Sequence, residues 1–410
     1  MGIQAGDTRL QRIQALQFSD KASAESLLLA FVRETFPDLD VNAAELRPLA
    51  VSLNSFNGFL TLSDGSQLFY KTHVEPGSVI DEYYNATLLS QAGYPVILPR
   101  YASTEYGRQF LIYDVIDWPS LFDVMQEMEA GQRHDMPKVA AAQYKADDQL
   151  LTIYLRTLEK QSSEDASQAA IHQLFHHRLD ARYAAFYADQ MIALPGIHLA
   201  WDDLCKRQWE INGAHYSRTL AEAITQARIV LRPQRAGPSI VGHGDAHNGN
   251  VFYSPKGMVY FDPAFGGRHH PLLDLAKPLF HNVFATWMYH PEEVAETCWM
   301  RATDDGHTIH VAHDHTPSGS RRVFFASKME RVLKPLVGEL RRQDQLPADW
   351  REYLKLALMC CPLLTMNLTD SQRFPPLDAM LGLCYAVEMG LHSDGGELNL
   401  LNRVLNNIEG

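Results

Sequence analysis

The sequence predicts an α+β chain in which a small antiparallel sheet precedes a larger helical body. Short β-rich runs cluster between residues 46 and 116, helical runs dominate from Ser120 onward, and a strand, loop and hairpin interrupt the helices between Ser239 and His281. In that interruption Ile240 and Val241 form an apolar lead into a polar loop from His243 to Asn250. Two hairpin arms come next, Val251 to Tyr253 and Met258 to Phe261, with Ser254, Pro255, Lys256 and Gly257 as the turn. Two acids, Asp245 and Asp262, flank the hairpin, and Asn250 closes the loop between them. Two acids flanking a hairpin, with an amide at the end of the loop between them, make a metal-and-nucleophile arrangement.

The N-terminal elements differ in texture. Residues 1–45 form a helical N-terminal extension, with Leu27, Leu28, Phe31 and Val32 at helical spacing and Pro37 as the stop; it is expected to pack on the adjoining sheet body. The texture changes at Leu46, with β-rich runs to about Ser55, from Phe59 to Leu62 and from Gln67 to Thr72, and a tight turn at Ser63-Asp64-Gly65. Ser78 and Asp81 read as a capping box for a helix that Gly93 ends, and Arg108 to Ile116 is a further apolar strand. From Ser120 to about Arg232 the chain is expected to be mainly helical, with a long helix starting at Pro137 and another from Arg218 to Leu231. Helices are also expected over residues 271–288, 326–341, 350–358, 377–389 and 398–408. The tract from His307 to His315 alternates like a hairpin arm with its turn at Pro317-Ser318-Gly319, and is taken as structural with no bound metal.

Composition bounds the function. The 410 residues are 46% hydrophobic and 21% charged, values of a folded chain long enough for two or three core-forming units. A net charge of -13 argues against a nucleic-acid partner. Cys205, Cys298, Cys360, Cys361 and Cys384 are odd in number and lack any C-x-x-C spacing, as expected of reduced thiols outside disulfides or zinc sites. No uninterrupted apolar run approaches about 18 residues and the N-terminus has no leader pattern, so no membrane partner and a cytoplasmic location are expected.

His243-Gly244-Asp245 followed by Asn250 resembles the catalytic loop of kinase-like phosphotransferases, in the glycine form typical of aminoglycoside phosphotransferases, choline kinases and related small-molecule kinases. Asp262-Pro263-Ala264 stands where protein kinases carry D-F-G, and Asp274-Leu275-Ala276 is similar to the structural Asp of the next helix in that family. The resemblance covers roughly residues 46–285 through dispersed motifs. It implies a bilobal protein-kinase-like fold, with a small antiparallel sheet lobe over residues 46–118 and a larger helical lobe over residues 119–410. By the same resemblance Asp245 orients or deprotonates the acceptor hydroxyl, and Asn250 and Asp262 hold Mg2+. Lys71 meets the ATP phosphates, and either Asp81 or Glu82 pairs with it, Glu82 being the family residue type.

The turn from Asn54 to Gly58 would cover those phosphates, although it has one glycine where protein kinases have three. Asp114 and Val115 would lie in a hinge at residues 113–118 whose backbone groups hold the adenine. The implied activity is ATP- and Mg2+-dependent phosphorylation of a hydroxyl on a small molecule, whether sugar, amino sugar, amino alcohol or antibiotic. Its alternatives are a non-catalytic kinase-like nucleotide-binding module and an aminoglycoside-type resistance kinase specifically. A protein kinase is disfavoured by Gly244, by Pro263-Ala264 and by the lack of A-P-E downstream. Acceptor choice is expected to reside in residues 120–235 and 290–410. Neither segment holds a dense acidic cluster, so a neutral or singly charged acceptor is expected over a polycation.

Overall fold

A computed structural model describes residues 9–47, 55–73, 78–105, 107–396 and 399–408, with the side chains of residues 55, 73 and 78–81 also outside the description. The chain divides into two compact units, the first made of Met1–Gln91, Pro95–Trp118 and Phe261–Ala264, the second of Ala92–Tyr94, Pro119–Tyr260 and Phe265–Gly410.

The first unit runs α1 (Arg9–Leu16), α2 (Lys21–Thr35), β1 (Val41–Leu46), β2 (Ser55–Leu62), β3 (Gln67–His73), α3 (Ser78–Gln91), β4 (Tyr101–Ser103) and β5 (Phe110–Asp114). Its five strands form one antiparallel sheet in the order β1-β2-β3-β5-β4. Side chains alternate along each strand, so Leu60, Leu68, Tyr70, Phe110 and Ile112 share one face. Leu10 and Ile13 of α1 and Leu28, Phe31 and Val32 of α2 complete the same core. Residues 9–45 are therefore integral to the sheet unit, and the boundary expected after residue 45 falls inside β1, whose Val41 and Leu46 are buried.

The phosphate-covering turn expected at Asn54 to Gly58 is also corrected. Residues 55–58 belong to β2, where Gly58 sits opposite Leu46 and Tyr70, while Asn54 lies outside the described residues. A Cβ on Gly58 would come within 1.9 Å of the Glu45 carbonyl oxygen, so glycine is there for close strand packing.

The second unit begins with α4 (Leu121–Glu129), α5 (Met136–Thr157), β6 (Glu159–Gln161), α6 (Ser163–Ser167), α7 (His176–Tyr187), β7 (Met191–Leu194), β8 (Ile197–Ala200), α8 (Trp201–Leu204), β9 (Gln208–Ile211), β10 (Ala214–Tyr216) and α9 (Leu220–Val230). It continues with β11 (Gly237–Gly242), β12 (Val251–Ser254), β13 (Gly257–Tyr260), β14 (Gly267–His269), α10 (Pro271–His281), α11 (Thr286–Tyr289) and α12 (Pro291–Thr297). The rest is β15 (Met300–Asp304), β16 (Thr308–His313), α13 (Gly319–Ser327), α14 (Lys334–Arg342), α15 (Trp350–Thr365), α16 (Pro376–Gly390) and α17 (Leu400–Asn407). At its centre α15 packs on both α10 and α16. Every residue of α10 is buried, as is α15 from Tyr353 to Leu364, the pattern of helices enclosed on all sides. No helix among the described residues is long and apolar enough to cross a membrane.

Two expectations fail here. Residues 120–232 are less helical than expected, because they contain the β7-β8 hairpin and β9-β10, the latter joined by Asn212 and Gly213 at φ 49° and 79°. Both central residues of that turn are left-handed, which is what the Asn-Gly pair supplies. The histidine tract is β16, in the sheet order β10-β9-β16-β15, parallel to β9 and antiparallel to β15. Its turn precedes it, with Gly306 at φ 90°, whereas Ser318 caps α13 by accepting from the Arg321 N–H. The histidines go to separate surroundings. His310 meets Glu210 at 3.1 Å and Asp305 at 3.2 Å, His315 Nδ1 lies 2.8 Å from the Tyr385 hydroxyl, and both ring nitrogens of His313 are buried.

Candidate active site

In the first unit, alternation along β3 puts Tyr70 in the core and Lys71 on the opposite face. Lys71 Nζ lies 2.9 Å from Glu82 Oε2 and 2.6 Å from Asp262 Oδ1. Glu82 belongs to α3, is 3% exposed, and accepts a 2.9 Å hydrogen bond from the Tyr113 hydroxyl at Oε1. Of the two adjacent acids it is thus Glu82 that pairs with Lys71; the side chain of Asp81 lies outside the described residues. Burial pulls the Lys71 pKa down, but Asp262 and Glu82 outweigh it and hold the ammonium above its ordinary value. Burial lifts the Glu82 carboxyl above its ordinary value, with Lys71 working against that rise.

Asp262 adopts φ 54°, a left-handed conformation that a short polar side chain tolerates. Its segment is anchored on α3 by Asn85, whose Nδ2 donates to the Pro263 carbonyl at 3.1 Å. The carboxylate is left 40% exposed. Asp114 ends β5 opposite Leu68, and its exposed carboxylate pairs with Arg100 at 2.9 Å. Val115 comes next, with an exposed side chain. Neither side chain joins the Lys71 cluster, so the adenine-binding role expected there would fall to their backbone groups.

In the second unit, β11 pairs with β14 on one edge and β6 on the other, and delivers His243-Gly244-Asp245 from its C-terminal end. Gly244 has φ 82°, and a Cβ there would lie 2.2 Å from the Phe265 carbonyl oxygen, so no other residue fits without displacing backbone. Its N–H donates to Asp274 Oδ1 at 2.5 Å. Asp274, in the first turn of α10, also accepts from the Tyr154 hydroxyl and lies 2.9 Å from His269 Nε2. Burial pushes the Asp274 carboxyl up, yet His269, Tyr154 and the Gly244 N–H together hold it below the usual carboxylate range.

The loop beyond Asp245 satisfies itself. The His247 N–H and the Asn250 Nδ2 both donate to the Asp245 carbonyl at 2.9 Å, the Asn250 N–H donates to the His247 carbonyl at 2.8 Å, and the Asn248 N–H reaches Asn282 Oδ1 at 2.7 Å. With its NH₂ end committed, Asn250 presents its side-chain oxygen as the end able to act as a ligand. The Asp245 carboxylate differs from its surroundings. Oδ1 is buried with no hydrogen-bond partner among the described residues, and Oδ2 is 3.9 Å from His247 Nε2. The structure therefore assembles Lys71, Glu82 and Asp262 in one unit, and Asp245 and Asn250 in the other.

One arginine escaped the sequence reading. Arg178, in the first turn of α7, is half-buried, and burial, with Arg182 adding to it, pulls its pKa down to about 10 while Asp245 draws it back up. Nothing in the run His176-His177-Arg178-Leu179 distinguishes it from an ordinary amphipathic helix start.

No family model matches the chain, and no curated protein matches it. Among solved structures, the chain is similar to the amicoumacin kinase hAmiN in complex with AMP-PNP, Ca2+ and Ami, at 13% identity and a TM-score of 0.45, over 93% of this chain and 95% of that one. It is similar to a thermostable mutant of the aminoglycoside phosphotransferase APH(4)-Ia in its apo form, at 12% identity and a TM-score of 0.45, over 88% of this chain and 97% of that one. A glucosamine kinase is similar at 14% identity and a TM-score of 0.41, over 83% of this chain and 73% of that one.

Proposed function

We propose that the chain is an ATP- and Mg2+-dependent phosphotransferase that phosphorylates a hydroxyl of a small molecule. The observation that carries this reading is the Asp245 carboxylate, with one oxygen buried and unpartnered in a loop that otherwise satisfies its own backbone. A buried acceptor without a donor costs about 1–3 kcal/mol, and an alcohol O–H is the donor that would complete it. Asp245 then orients that hydroxyl and takes its proton as the oxygen bonds to the transferred phosphorus and ADP leaves.

Lys71, kept charged by two carboxylates, supplies the cation for phosphate oxygens, and Glu82 holds it in place. Asn250 and Asp262 are hard oxygen donors of the kind Mg2+ takes, which fits them as its protein ligands. Bound there with nucleotide, the ion would neutralise charge on the phosphates. The backbone at Asp114 and Val115 remains the proposed adenine contact.

The test is ATP consumption against a panel of small alcohols, with Asp245→Asn beside the wild type. The variant should bind Mg-ATP nearly normally and lose about 10²–10⁴-fold in turnover, the range for general acid–base groups. Wild-type turnover in the variant would remove the assignment, and an equal loss of ATP affinity would make Asp245 a metal ligand instead.

A further inference from the structure

The second unit holds a cavity of about 240 Å3, and neither Asp245 nor Asn250 lines it. Five elements build it: the turn from β9 into β10, the end of β16 with the chain beyond, α13, α16 and α17. Tyr385, Glu388 and Met389 stand at i, i+3 and i+4 and so share one face of α16. The Phe284 ring, 5.5 Å from that of Tyr385, extends the apolar wall.

Polar groups on the wall lack partners among the described residues. Glu388 is half-buried, and its carboxylate makes no hydrogen bond and no ion pair there; the 3.4 Å contact from Asn402 Nδ2 goes to its backbone carbonyl. Burial pushes this carboxyl up to about 7, with Lys355 working against the rise. Asn212 Oδ1 accepts from the His313 backbone N–H at 2.9 Å, yet both ring nitrogens of His313 are buried without a partner. His315 differs, since its Nδ1 lies 2.8 Å from the Tyr385 hydroxyl. Arg322, in the first turn of α13, is exposed and donates from Nε to the Pro317 carbonyl at 3.0 Å, while its two terminal nitrogens make no hydrogen bond with any described residue.

Polar groups withdrawn from water ordinarily carry hydrogen bonds, so those left without one mark what the cavity takes. A lone carboxylate calls for a cation with N–H donors, and a guanidinium with unused donors fits a carboxylate at two points. His313, kept neutral because burial lowers its pKa, supplies one donor and one acceptor between them. The remaining wall is apolar, and about 240 Å3 falls below the roughly 300–1,000 Å3 of sites for drug-sized ligands. We propose that the cavity is a second binding site, for a small zwitterion: a free amino acid with an apolar side chain, whose ammonium meets Glu388 and whose carboxylate meets Arg322.

The site does not depend on phosphate transfer, so binding is the readout. Leucine, methionine and phenylalanine are titrated calorimetrically into the full chain, each in its free form, as the N-acetyl derivative, which lacks the ammonium, and as the amide, which lacks the acid. At least one free amino acid should bind, and each derivative of it should bind about 10-fold or more weakly. Glu388→Gln and Arg322→Ala should weaken the free form by a similar factor while keeping the ligand-free melting temperature, and Asp245→Asn should bind it as the wild type does. Should the Gln variant fail to fold, Arg322→Ala, at an exposed position, decides. No binding of any free amino acid at millimolar concentration would mean that water alone fills the cavity, and would overturn the proposal. Equal binding of a derivative, indifference of the folded protein to either substitution, or loss of binding in Asp245→Asn would overturn it as well.

Discussion

At Asp262 the backbone and the side chain make separate demands. Its φ of 54° costs most residues roughly 1–2 kcal/mol, a penalty Asp reduces and glycine escapes. Its carboxylate, 2.6 Å from Lys71, has the proposed metal role. Substitution separates the two. Asp262→Ala and Asp262→Gly should both lose phosphate transfer, but the glycine variant should be the more stable by about 1 kcal/mol, read from urea midpoints. Equal midpoints would mean that the segment relaxes to an ordinary conformation and that the left-handed turn does not constrain which residue can stand there.

At the scale of elements, the catalytic loop depends on α10 through Asp274, which gathers the Gly244 N–H, the Tyr154 hydroxyl and His269 from three separate parts of the chain. Asp274→Ala would strand those groups and should cost about 3–5 kcal/mol, as for other broken buried charge partners. The carboxyl is held below its unfolded value, so its contribution is present above about pH 4 and is lost as pH falls through the lower folded value. Urea unfolding of Asp274→Asn should therefore show weaker stability at pH 7 and a flatter decline below about pH 4. A wild-type acid profile in that variant would show that Asp274 does not govern this range.

The Asp274 brace was legible because the D-L-A run stands a short distance beyond the hairpin. Helices with strong local caps and turns were legible for the same reason. The pairing of β9 with β16 was not, since Gln208 and Thr308 meet from distant parts of the chain and leave no local trace. Asn212-Gly213 does signal a hairpin, but it stands inside a stretch whose flanks carry helix signals. Glu82 and Asp81 are roughly 100° apart around one helix, so only packing could choose between them. Arg178 stands out only once the fold has half-buried its charge, which its place in an amphipathic helix start does not foretell.

At the scale of the whole molecule, the distribution of histidines sets which unit yields to acid. The first unit contains one, His73, whereas the second buries His172, His270 and His281 and half-buries His315. Burial pulls His172 and His315 down to about 4 and His270 to about 3, and drives His281 well below its ordinary value. Each ring is neutral when folded and takes a proton near pH 6.5 when unfolded, so the unfolded state binds more protons and stability falls as pH drops below about 6.5. The loss is roughly 1.4 kcal/mol per ring per pH unit until the folded pKa is reached, set against a total of about 5–15 kcal/mol. The net charge of -13 works the other way, because protonating surface acids relieves repulsion, but that effect is spread over exposed charges and is screened by salt. The histidines should therefore win at physiological ionic strength. Trp201, Trp209, Trp287 and Trp350 are all buried in the second unit and report its unfolding by fluorescence. Their melting temperature should fall steadily from pH 7 to pH 5, while amides of β2 and β3 in the first unit keep their hydrogen-exchange protection to lower pH. An unchanged melting temperature across that interval would mean that the four rings can take up protons within the fold, and would remove the basis for an acid-labile second unit.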